Sequence, residues 1–233
     1  MMDRFLRTSL LLNEDKMNRL ANAHIMVFGV GGVGGYVVEG LVRSGLGKIT
    51  IIDNDTVNIT NLNRQIIALE SNLNKLKVDV LKERILAINP NCKVTCYNKF
   101  ITFDNINDIE YTNVDYVVDA VDTITAKIAI IEKAKELNIP IISSMGAGNR
   151  LDPTQIRFSD INQTKNCPLA KVMRYELKKR EIKNVKCIYS LEIPVELTKQ
   201  IINSENGKVV IGSISYMPSI FGFMIASEII KEI

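Results

Sequence analysis

The first residues of this sequence whose types and spacing could do chemistry are three glycines and an aspartate. Gly29, Gly31 and Gly34 follow an apolar run and open a helical pattern, so backbone amides at the start of that helix can face a phosphate. Asp53 ends the next apolar run, where a carboxylate can accept hydrogen bonds from ribose hydroxyls. These residues predict a nucleotide site. On them alone an NAD-dependent oxidoreductase is the favoured interpretation, and a glycine turn without a ligand is the alternative.

Further polar residues after Asp53 favour a triphosphate over a dinucleotide. Asp55 lies two positions on, so on an extended segment both carboxylates point the same way, and two acids beside a phosphate suggest Mg²⁺. Asn61, Arg64 and Gln65 share one face if their segment is helical. An arginine held beside amides suits a bidentate grip on phosphate. A solvated surface helix with an exposed arginine is the plainer interpretation.

A lysine and two aspartates complete the set of candidate site residues. Lys77 falls in the first turn of a predicted helix, where the helix dipole disfavours a cation unless an anion is near. Asp119 and Asp122 bracket the end of a predicted strand, the edge at which open parallel sheets bind ligands. One of these two acids could instead cap the helix that follows Thr123.

Buried strands that alternate with amphipathic helices must position these residues. Short apolar runs bounded by turn signals predict the strands, and apolar residues at helical spacing predict the helices. This alternation through the first part of the chain is the pattern of a doubly wound parallel sheet. The predicted strands are 25–28, 49–52, 94–97, 116–119 and 139–143, and the predicted helices include 37–42, 74–88 and 125–137.

The pattern changes beyond Gly146, where short strand-like segments surround a basic helix from Pro168 to about Ile182 and an apolar helix follows. We expect this part to pack on the sheet and not to fold separately. The predicted class is α/β, a mostly parallel Rossmann-like sheet with a C-terminal elaboration of short strands and helices. The short strands are expected at 155–158, 185–191 and 208–211. The single domain comprises a helical arm (1–23), a nucleotide-binding core (24–145) and the elaboration with its C-terminal helix (146–233).

Composition restricts the class of protein. Apolar residues make up 46% and charged residues 24% of the chain, which are ordinary globular values. The net charge of +3 is too small by itself to indicate a nucleic-acid partner. Four cysteines in a chain without a signal-peptide pattern predict a reducing compartment, and we expect a cytoplasmic location. Glu228 interrupts the apolar tail at 216–230, which favours a buried helix over membrane contact.

Taken together, these motifs resemble the ubiquitin-activating-type adenylyltransferases, the family that includes the ThiF, MoeB and HesA proteins. Several linked motifs in order are far more specific than one glycine turn. The resemblance implies a Rossmann-like fold, ATP as the nucleotide, activation of a carboxylate by AMP, and a homodimer. It is carried by Gly29-Val30-Gly31-Gly32-Val33-Gly34, Asp53-Asn54-Asp55, Asn61-Leu62-Asn63-Arg64-Gln65, Lys77 and Asp119-Ala120-Val121-Asp122.

The resemblance also implies a role for each matching residue. Gly32 is expected near the triphosphate, and Asp122 is expected to hold Mg²⁺. An N-terminal arginine of the partner subunit reaches into the site in this family, and Arg7 or Arg4 is similarly placed here. The expected catalytic residues are Arg64, Lys77, Asp122 and Arg7, and the expected nucleotide-binding residues are Gly29, Gly31, Gly32, Gly34, Asp53 at the ribose, Asp55, Asn61, Arg64, Gln65, Lys77 and Asp122.

Within the family, the closer resemblance is to the tRNA threonylcarbamoyladenosine dehydratases, and it covers nearly the whole chain. It implies an ATP-dependent enzyme that adenylates the threonyl carboxylate of a modified adenosine beside the anticodon and then cyclises it. The implied partners are tRNA and possible sulfur-transfer proteins. The resemblance is carried by Arg4-Phe5, Ala68-Leu69, Gly146-Ala147-Gly148, Asp152-Pro153-Thr154-Gln155 and Pro168-Leu169-Ala170.

Two other functions stay open. An adenylyltransferase that activates the C-terminus of a ubiquitin-like sulfur carrier shares the nucleotide motifs. Those relatives usually carry paired C-x-x-C motifs for zinc, and no two cysteines have that spacing here. The other function is a dinucleotide-binding oxidoreductase or redox sensor, which predicts NAD(H) binding that does not need Arg64.

The remaining reactive residues have plainer interpretations. Cys167 stands where the dehydratases tend to have aspartate. A thiol nucleophile at Cys167 or Cys187 is conceivable, but a buried small side chain is favoured because no histidine lies near either cysteine. His24 begins the first strand and is expected to pack there. The basic helix suits an RNA backbone, or else a solvated surface, since Glu176 and Glu181 are interspersed.

Overall fold

The computed structural model describes residues 4–202 and 209–233. Strands rich in Ile and Val alternate with helices that bury one apolar stripe, as the sequence pattern predicts. The elements are α1 (Leu6–Ser9), α2 (Glu14–Asn22), β1 (His24–Phe28), α3 (Gly34–Arg43), β2 (Lys48–Ile52), α4 (Lys77–Ile88), β3 (Lys93–Tyr97), β4 (Tyr116–Asp119), α5 (Ile124–Glu136), β5 (Ile141–Ser144), β6 (Ile156–Asp160), α6 (Pro168–Lys179), β7 (Lys186–Ser190) and α7 (Tyr216–Glu232).

Seven strands form one sheet in the order β3-β2-β1-β4-β5-β7-β6. Neighbouring strands are parallel except β6 and β7, which pair antiparallel. The chain moves outward from β1 through β2 and β3 and then returns to the other side of β1 with β4. The strand order therefore reverses between β1 and β4, which opens a crevice at the carboxyl ends of these strands. The predicted doubly wound α/β class is confirmed.

Helices cover both faces of the sheet. Ile25 and Val27 of β1 pack in a core with α3, α4 and α7, whereas Met26 and Phe28 pack in a second core with α5 and α6. Successive residues of a strand face opposite sides, and every residue of β1 is buried. The continuous apolar runs in the sequence are thus those of central strands covered on both faces.

Several predicted boundaries shift where the backbone turns. Asn74 has a φ of 65°, so α4 begins after it and not at it. Glu181 has a φ of 57°, and α6 ends earlier than predicted for the same reason. Residues 153–155 form a short 3₁₀ turn before β6. Asn74 and Glu181 occupy the left-handed region, which a continuing α-helix cannot accommodate.

The strand predicted at 208–211 is wrong in its described part, and Lys208 lies outside the described residues. Val209 makes one isolated antiparallel bridge with Ile202. The next residues instead pair with the loop after β5: the Gly212 amide donates to Asn149 Oδ1 at 2.7 Å, and the Asn149 amide donates to the Gly212 carbonyl at 2.8 Å. Tertiary contact with that loop replaces the regular pairing that a strand needs.

The C-terminal helix packs along α3. A Cβ added to Gly40 would lie 2.8 Å from Ala226 Cβ, and one added to Gly222 would lie 2.5 Å from the Val33 carbonyl oxygen. Glycine at both positions lets the helix backbones approach closely. The apolar side of α7 is therefore used inside the protein. Within the ranges 4–202 and 209–233, no helix has the length and apolarity needed to span a bilayer.

His24 is buried at the start of β1, as expected from its position. Its Nε2 lies 2.8 Å from Thr50 Oγ1, and its Nδ1 lies 3.2 Å from the Asn113 carbonyl oxygen. Burial lowers the pKa of His24, and the neighbouring Lys48 lowers it further. The neutral ring is therefore the form that the fold accommodates.

The His24→Asn variant should lose one component of the pH dependence of stability. The folded pKa lies below the unfolded value of about 6.5, so wild-type stability that is present above pH ~6.5 declines as pH falls, by at most about 1.4 kcal/mol per pH unit. Urea unfolding of both proteins between pH 8 and 5 measures this. The difference in unfolding free energy should be constant above pH ~7 and shrink below it. If the unfolding free energies of the two proteins change in parallel over the whole pH range, His24 does not have a lowered pKa in the folded protein.

Candidate functional site

The glycine turn after β1 is held by contacts that exclude side chains. Gly29 has a φ of +82°, and a Cβ there would lie 2.8 Å from the carbonyl carbon and oxygen of Ala120. A Cβ on Gly34 would lie 1.8 Å from the Gly29 carbonyl oxygen. These two glycines are therefore required by the turn itself and by its contact with the end of β4. The amides at the start of α3 are left facing the crevice, where an anion is favoured.

Gly31 and Gly32 face the polar segment that follows β2. The Cβ position of Gly31 lies 3.6 Å from Gln65 Nε2, and that of Gly32 lies 3.5 Å from Arg64 Cγ and 3.2 Å from Pro218 Cβ. The structure thus brings together the glycine turn, the 61–65 segment and the first turn of α7. Sequence reasoning placed the first two of these in one site and did not anticipate α7.

Asp53 ties the end of β2 to the glycine turn. Its Oδ2 accepts a hydrogen bond from the Val30 amide at 2.8 Å, and its Oδ1 accepts one from the Asp55 amide at 2.9 Å. Burial raises the pKa of Asp53, and the nearby Lys77 ammonium opposes that rise. A carboxylate fixed at this edge by two amides is pre-oriented for a ligand hydroxyl.

Lys77 is the first residue of α4, and its side chain is almost fully buried. Its Nζ donates to Asp55 Oδ2 at 2.6 Å. A cation at the start of a helix needs a nearby anion. In this structure that anion is the carboxylate of Asp55. The Asp55 carboxylate is more than half exposed, so the pair opens towards the crevice. Lys77 is hydrogen-bonded to Asp55, and its charge also acts on the nearby Asp53 carboxylate.

The segment around Arg64 is a tight polar turn. Residues 59–61 form a 3₁₀ helix in which Asn58 and Asn61 cap each other's backbone, with the Asn58 amide donating to Asn61 Oδ1 at 3.0 Å. Arg64 Nη1 donates to the Thr60 carbonyl at 2.8 Å and to Asn63 Oδ1 at 2.9 Å. Burial lowers the pKa of Arg64, and its guanidinium has no carboxylate partner among the residues that the structure describes.

Gln65 carries an unsatisfied polar atom beside the glycine turn. The residue is only 7% exposed, and its Oε1 has no hydrogen-bond partner. Buried polar atoms are nearly always paired in native proteins. An orphaned amide oxygen within the same contact set as Gly31 indicates that a polar ligand completes this site.

Asp119 and Asp122 have different surroundings. Asp119 is fully buried, with Lys127 Nζ at 2.9 Å from its Oδ2 and Ser143 Oγ donating to that oxygen at 2.5 Å. Asp122 is exposed, and it does not cap α5, whose N-cap is Thr123 without a side-chain cap bond. Asp119 therefore belongs to the interior, and Asp122 is the one available to a ligand. The suggestion that one of them caps the helix is wrong.

Lys127 holds the loops beside the site in place, and the sequence analysis did not identify it. Besides Asp119, its Nζ donates to the carbonyls of Val121 at 3.0 Å and Ser144 at 2.7 Å. It thereby joins the carboxyl ends of β4 and β5 and fixes the loop that carries Asp122. A lysine within the apolar stripe of a predicted helix is the sequence signal that could have shown it.

The two N-terminal arginines are separated by the structure. Arg4 Nη1 donates to the Ile88 carbonyl at the end of α4 at 2.8 Å. Arg7 is exposed and makes no hydrogen bond or ion pair within the described part of the chain. Its helix α1 buries no residue. Arg7 is thus free to meet another molecule, whereas Arg4 has a structural contact.

The cysteines are free thiols, three of them buried. Cys167 lies directly before α6, and its Sγ is 3.8 Å from the Cβ position of Gly146. Burial raises the pKa of Cys187 to about 12, so its thiol stays protonated. Across the described residues, no group of three or more His, Cys, Asp or Glu side chains could hold a metal ion.

A further buried cation, Arg150, contacts the loops beyond β5. It donates to the carbonyls of Glu192 and Asn166, the latter at 2.8 Å, and its Nε has no partner. Nearby, Asn63 Nδ2 donates to the Ser213 carbonyl at 3.0 Å. The segment before α7 therefore passes beside the Arg64 turn, a contact between distant residues that no local pattern indicates.

Replacing Lys127 should destabilise the fold strongly. Lys127→Met leaves the Asp119 carboxylate buried without a counter-charge, which costs about 3–5 kcal/mol. The double variant Lys127→Met/Asp119→Asn removes both charges and should recover much of that loss. Denaturant unfolding measures both, with Lys82→Met on the exposed side of α4 as a control that changes stability by less than about 0.5 kcal/mol. Additive losses in the double variant would contradict the pairing.

Comparison with known proteins agrees with these features. The tRNA threonylcarbamoyladenosine dehydratase of Bacillus subtilis is 38% identical over 242 residues, which span all of this chain and 95% of that protein. The Escherichia coli protein of the same name is 42% identical over 197 residues, 81% of this chain and 74% of that one.

A solved structure extends the similarity to three dimensions. The crystal structure of the E. coli dehydratase TcdA in complex with ATP has a TM-score of 0.88 and 38% sequence identity, and the alignment covers 98% of this chain and 93% of that chain. The resemblance drawn from the motifs is thereby confirmed. The sequence model of the ThiF family matches residues 3–233, and the chain belongs to the ThiF family.

Proposed function

We propose that this protein is an ATP-dependent tRNA threonylcarbamoyladenosine dehydratase. The observation that carries the proposal is that Arg64 lies against the glycine turn while Lys77 lies near Asp53, whose carboxylate binds that same turn, at the point where the strand order reverses. A dinucleotide site does not need this cationic set, and a triphosphate does. Support also comes from relatives of that name that match nearly the full chain and from the ATP complex of TcdA.

Different site residues contact different parts of ATP in this proposal. The amides around Gly31 and Gly32 approach the phosphates, because no side chain stands between them and the crevice. Asp53 accepts from the ribose, and Arg64 turns from its own loop onto the triphosphate, since it has no anionic partner to lose. Gln65 completes its hydrogen bonding on the ligand. Asn61 holds the turn in shape, and Lys77 exchanges part of its contact with Asp55 for phosphate oxygens.

The reaction activates one carboxylate oxygen as a leaving group. The threonyl carboxylate of the modified adenosine attacks the α-phosphorus of ATP, and the bond to the pyrophosphate oxygen breaks. The neighbouring carbamoyl group then attacks the activated carbonyl carbon, loses a proton and expels AMP with the former carboxylate oxygen. The product is lighter by one water. No side-chain nucleophile takes part, so catalysis rests on holding the groups in line and on Arg64 and Lys77 opposing charge on the phosphates.

Asp122 is the residue that would hold Mg²⁺. It is exposed at the carboxyl end of β4, on a loop that Lys127 fixes. Mg²⁺ usually takes one or two carboxylates together with substrate phosphates and water, and it does not need a cage of protein ligands. A single free carboxylate beside the phosphate site fits that chemistry, and the ion would supply charge neutralisation when bound.

A homodimer completes the site in this proposal. Leu10 and Leu11 are 78% and 88% exposed beside α1, an apolar end that a second copy can cover. Arg7, next to them, reaches the partner's triphosphate. An enzyme acting on tRNA with free thiols works in the cytoplasm. The sulfur-transfer partner stays a prediction from the resemblance.

The reaction is tested by incubating the protein with ATP, Mg²⁺ and tRNA carrying the uncyclised nucleoside. We expect AMP to form and the nucleoside mass to fall by one water, measured by mass spectrometry after digestion. AMP formation that depends on a ubiquitin-like carrier protein and ignores tRNA would support the sulfur-carrier alternative. Tight NAD(H) binding that survives Arg64→Ala would support an oxidoreductase.

Removing either cation should impair the first half of the reaction. Arg64→Ala and Lys77→Ala should each lower the rate of pyrophosphate release at least about 100-fold, because a charge-stabilising donor on the phosphates is lost. Lys75→Ala is the matched control, since Lys75 is exposed and its side chain makes one long hydrogen bond among the described residues, from Nζ to Asn72 Oδ1 at 3.5 Å. Wild-type ATP affinity and rate in both site variants would overturn the adenylation site.

Subunit mixing tests whether Arg7 acts across the dimer. Arg7→Ala and Arg64→Ala homodimers should each be about 100-fold impaired. If each site uses Arg7 of the partner, re-association of equal amounts gives one intact site in half of the dimers, about a quarter of wild-type activity. Arg4→Ala should keep its activity because Arg4 contacts its own α4. Failure of the mixture to recover activity would contradict the cross-subunit role.

A further inference from the structure

One face of α6 combines uncompensated positive charge with an exposed aromatic ring. Ala170, Met173 and Leu177 are buried against the sheet. The opposite side of the helix, here called the outer face of α6, is exposed and consists of Lys171, Val172, Tyr175, Lys178 and Lys179. These positions recur at helical spacing, so the five side chains form one continuous strip.

The charges near this helix are not equivalent. Arg174 donates to the Thr164 carbonyl at 2.9 Å, and Arg180 pairs with Glu132 at 3.0 Å and with Glu176 at 2.7 Å. Both arginines are thus engaged by groups of the protein itself, and Glu176 pairs with Arg180 and with Lys179.

The lysines of the outer face differ from those arginines. The side-chain ammonium groups of Lys171 and Lys178 make no ion pair or hydrogen bond with any residue that the structure describes. The outer face itself contains no carboxylate. A strip with two unpaired ammonium groups and no acid is a site for an anion and not a self-compensated surface.

Tyr175 is the second feature of the strip. Its residue is 58% exposed, and Lys179 Nζ lies 4.3 Å from the centre of its ring. An exposed aromatic ring flanked by lysines is the combination with which proteins bind unpaired nucleotides, because any base can stack on the ring while phosphates meet the cations. An acidic protein surface would use the lysines but not the ring.

The strip begins at the same edge of the sheet as the crevice. Cys167 Sγ and Leu169 Cβ, at the start of α6, lie 3.8 and 4.0 Å from the Cβ position of Gly146, two residues after β5. The carboxyl end of β5 is on the crevice edge of the sheet. From there α6 extends for 12 residues, about 18 Å. The outer face therefore extends from the crevice edge of the sheet along the length of α6.

We propose that the outer face of α6 binds substrate RNA outside the reacting nucleoside, with Lys171 and Lys178 on phosphates and Tyr175 stacked against one unpaired base. The proposal rests on the proposed function, which supplies RNA as the substrate. It adds which groups of this chain hold the RNA and by what chemistry.

Fluorescence anisotropy with labelled tRNA tests the surface. Tyr175→Ala should raise the Kd about tenfold and Tyr175→Phe should leave it near wild type, since the ring alone stacks. Lys171→Gln/Lys178→Gln should weaken binding and lower the slope of log K against log salt by about 1.5, the loss of two phosphate contacts. Lys82→Gln/Lys93→Gln removes two exposed lysines at the opposite end of the sheet and is the matched control.

ATP affinity, measured on every variant, separates the two proposals. We expect it unchanged in the α6 variants, because none of these residues belongs to the nucleotide site. If wild type and both α6 variants bind tRNA equally well, the RNA-binding role of the outer face of α6 is contradicted and the proposed function is unaffected. If wild type neither binds nor dehydrates tRNA, both proposals are contradicted. Equal displacement of tRNA by polyglutamate, with no effect of Tyr175→Ala, would identify an acidic protein as the partner and overturn the RNA assignment.

Discussion

The structure depends on a contact in which two backbones meet without side chains between them. At the glycine turn, the Cα of Gly34 lies so close to the Gly29 carbonyl that a methyl group cannot fit, and Gly29 meets the carbonyl of Ala120 in the same way. This contact brings the start of α3 against the ends of β1 and β4. It leaves a row of free amides at the crevice where the strand order reverses, and the phosphate site follows from it.

Two lysine–aspartate pairs hold the sides of that crevice, and they have different consequences. Lys127 and Asp119 are both fully buried, so their pair fixes the loop after β4 and is unavailable to a ligand. Lys77 is buried but its partner Asp55 is largely exposed, so this pair can exchange contacts with an incoming anion. Arg64 has no carboxylate partner among residues 4–202 and 209–233, so it has no such contact to give up. The difference in solvent access separates the buried pair that holds the loop in place from the groups that can bind a ligand.

The part of the chain beyond Gly146 serves the site in two ways. β7 and β6 continue the sheet that the preceding part begins, and α7 returns to α3, where Pro218 contacts the Cβ position of Gly32. Arg150 joins the loops above β5. Cys167, at the start of α6, sits against Gly146 in the loop after β5.

The sequence by itself determined the α/β class, the order of its elements and the candidate phosphate site. The alternation of buried strands and helices, the glycine spacing and the order Asp53, Arg64, Lys77 are all local or nearly local patterns. Their predicted positions held to within a few residues, with the shifts where Asn74 and Glu181 turn the backbone, whereas the strand predicted at 208–211 is wrong in its described part. Only the tertiary structure decided that Asp119 is internal, that Lys77 pairs with Asp55 and that Arg4 is engaged while Arg7 is free. Each of these depends on which distant groups come within hydrogen-bond distance and on how much water reaches them, and neither quantity is encoded in local spacing.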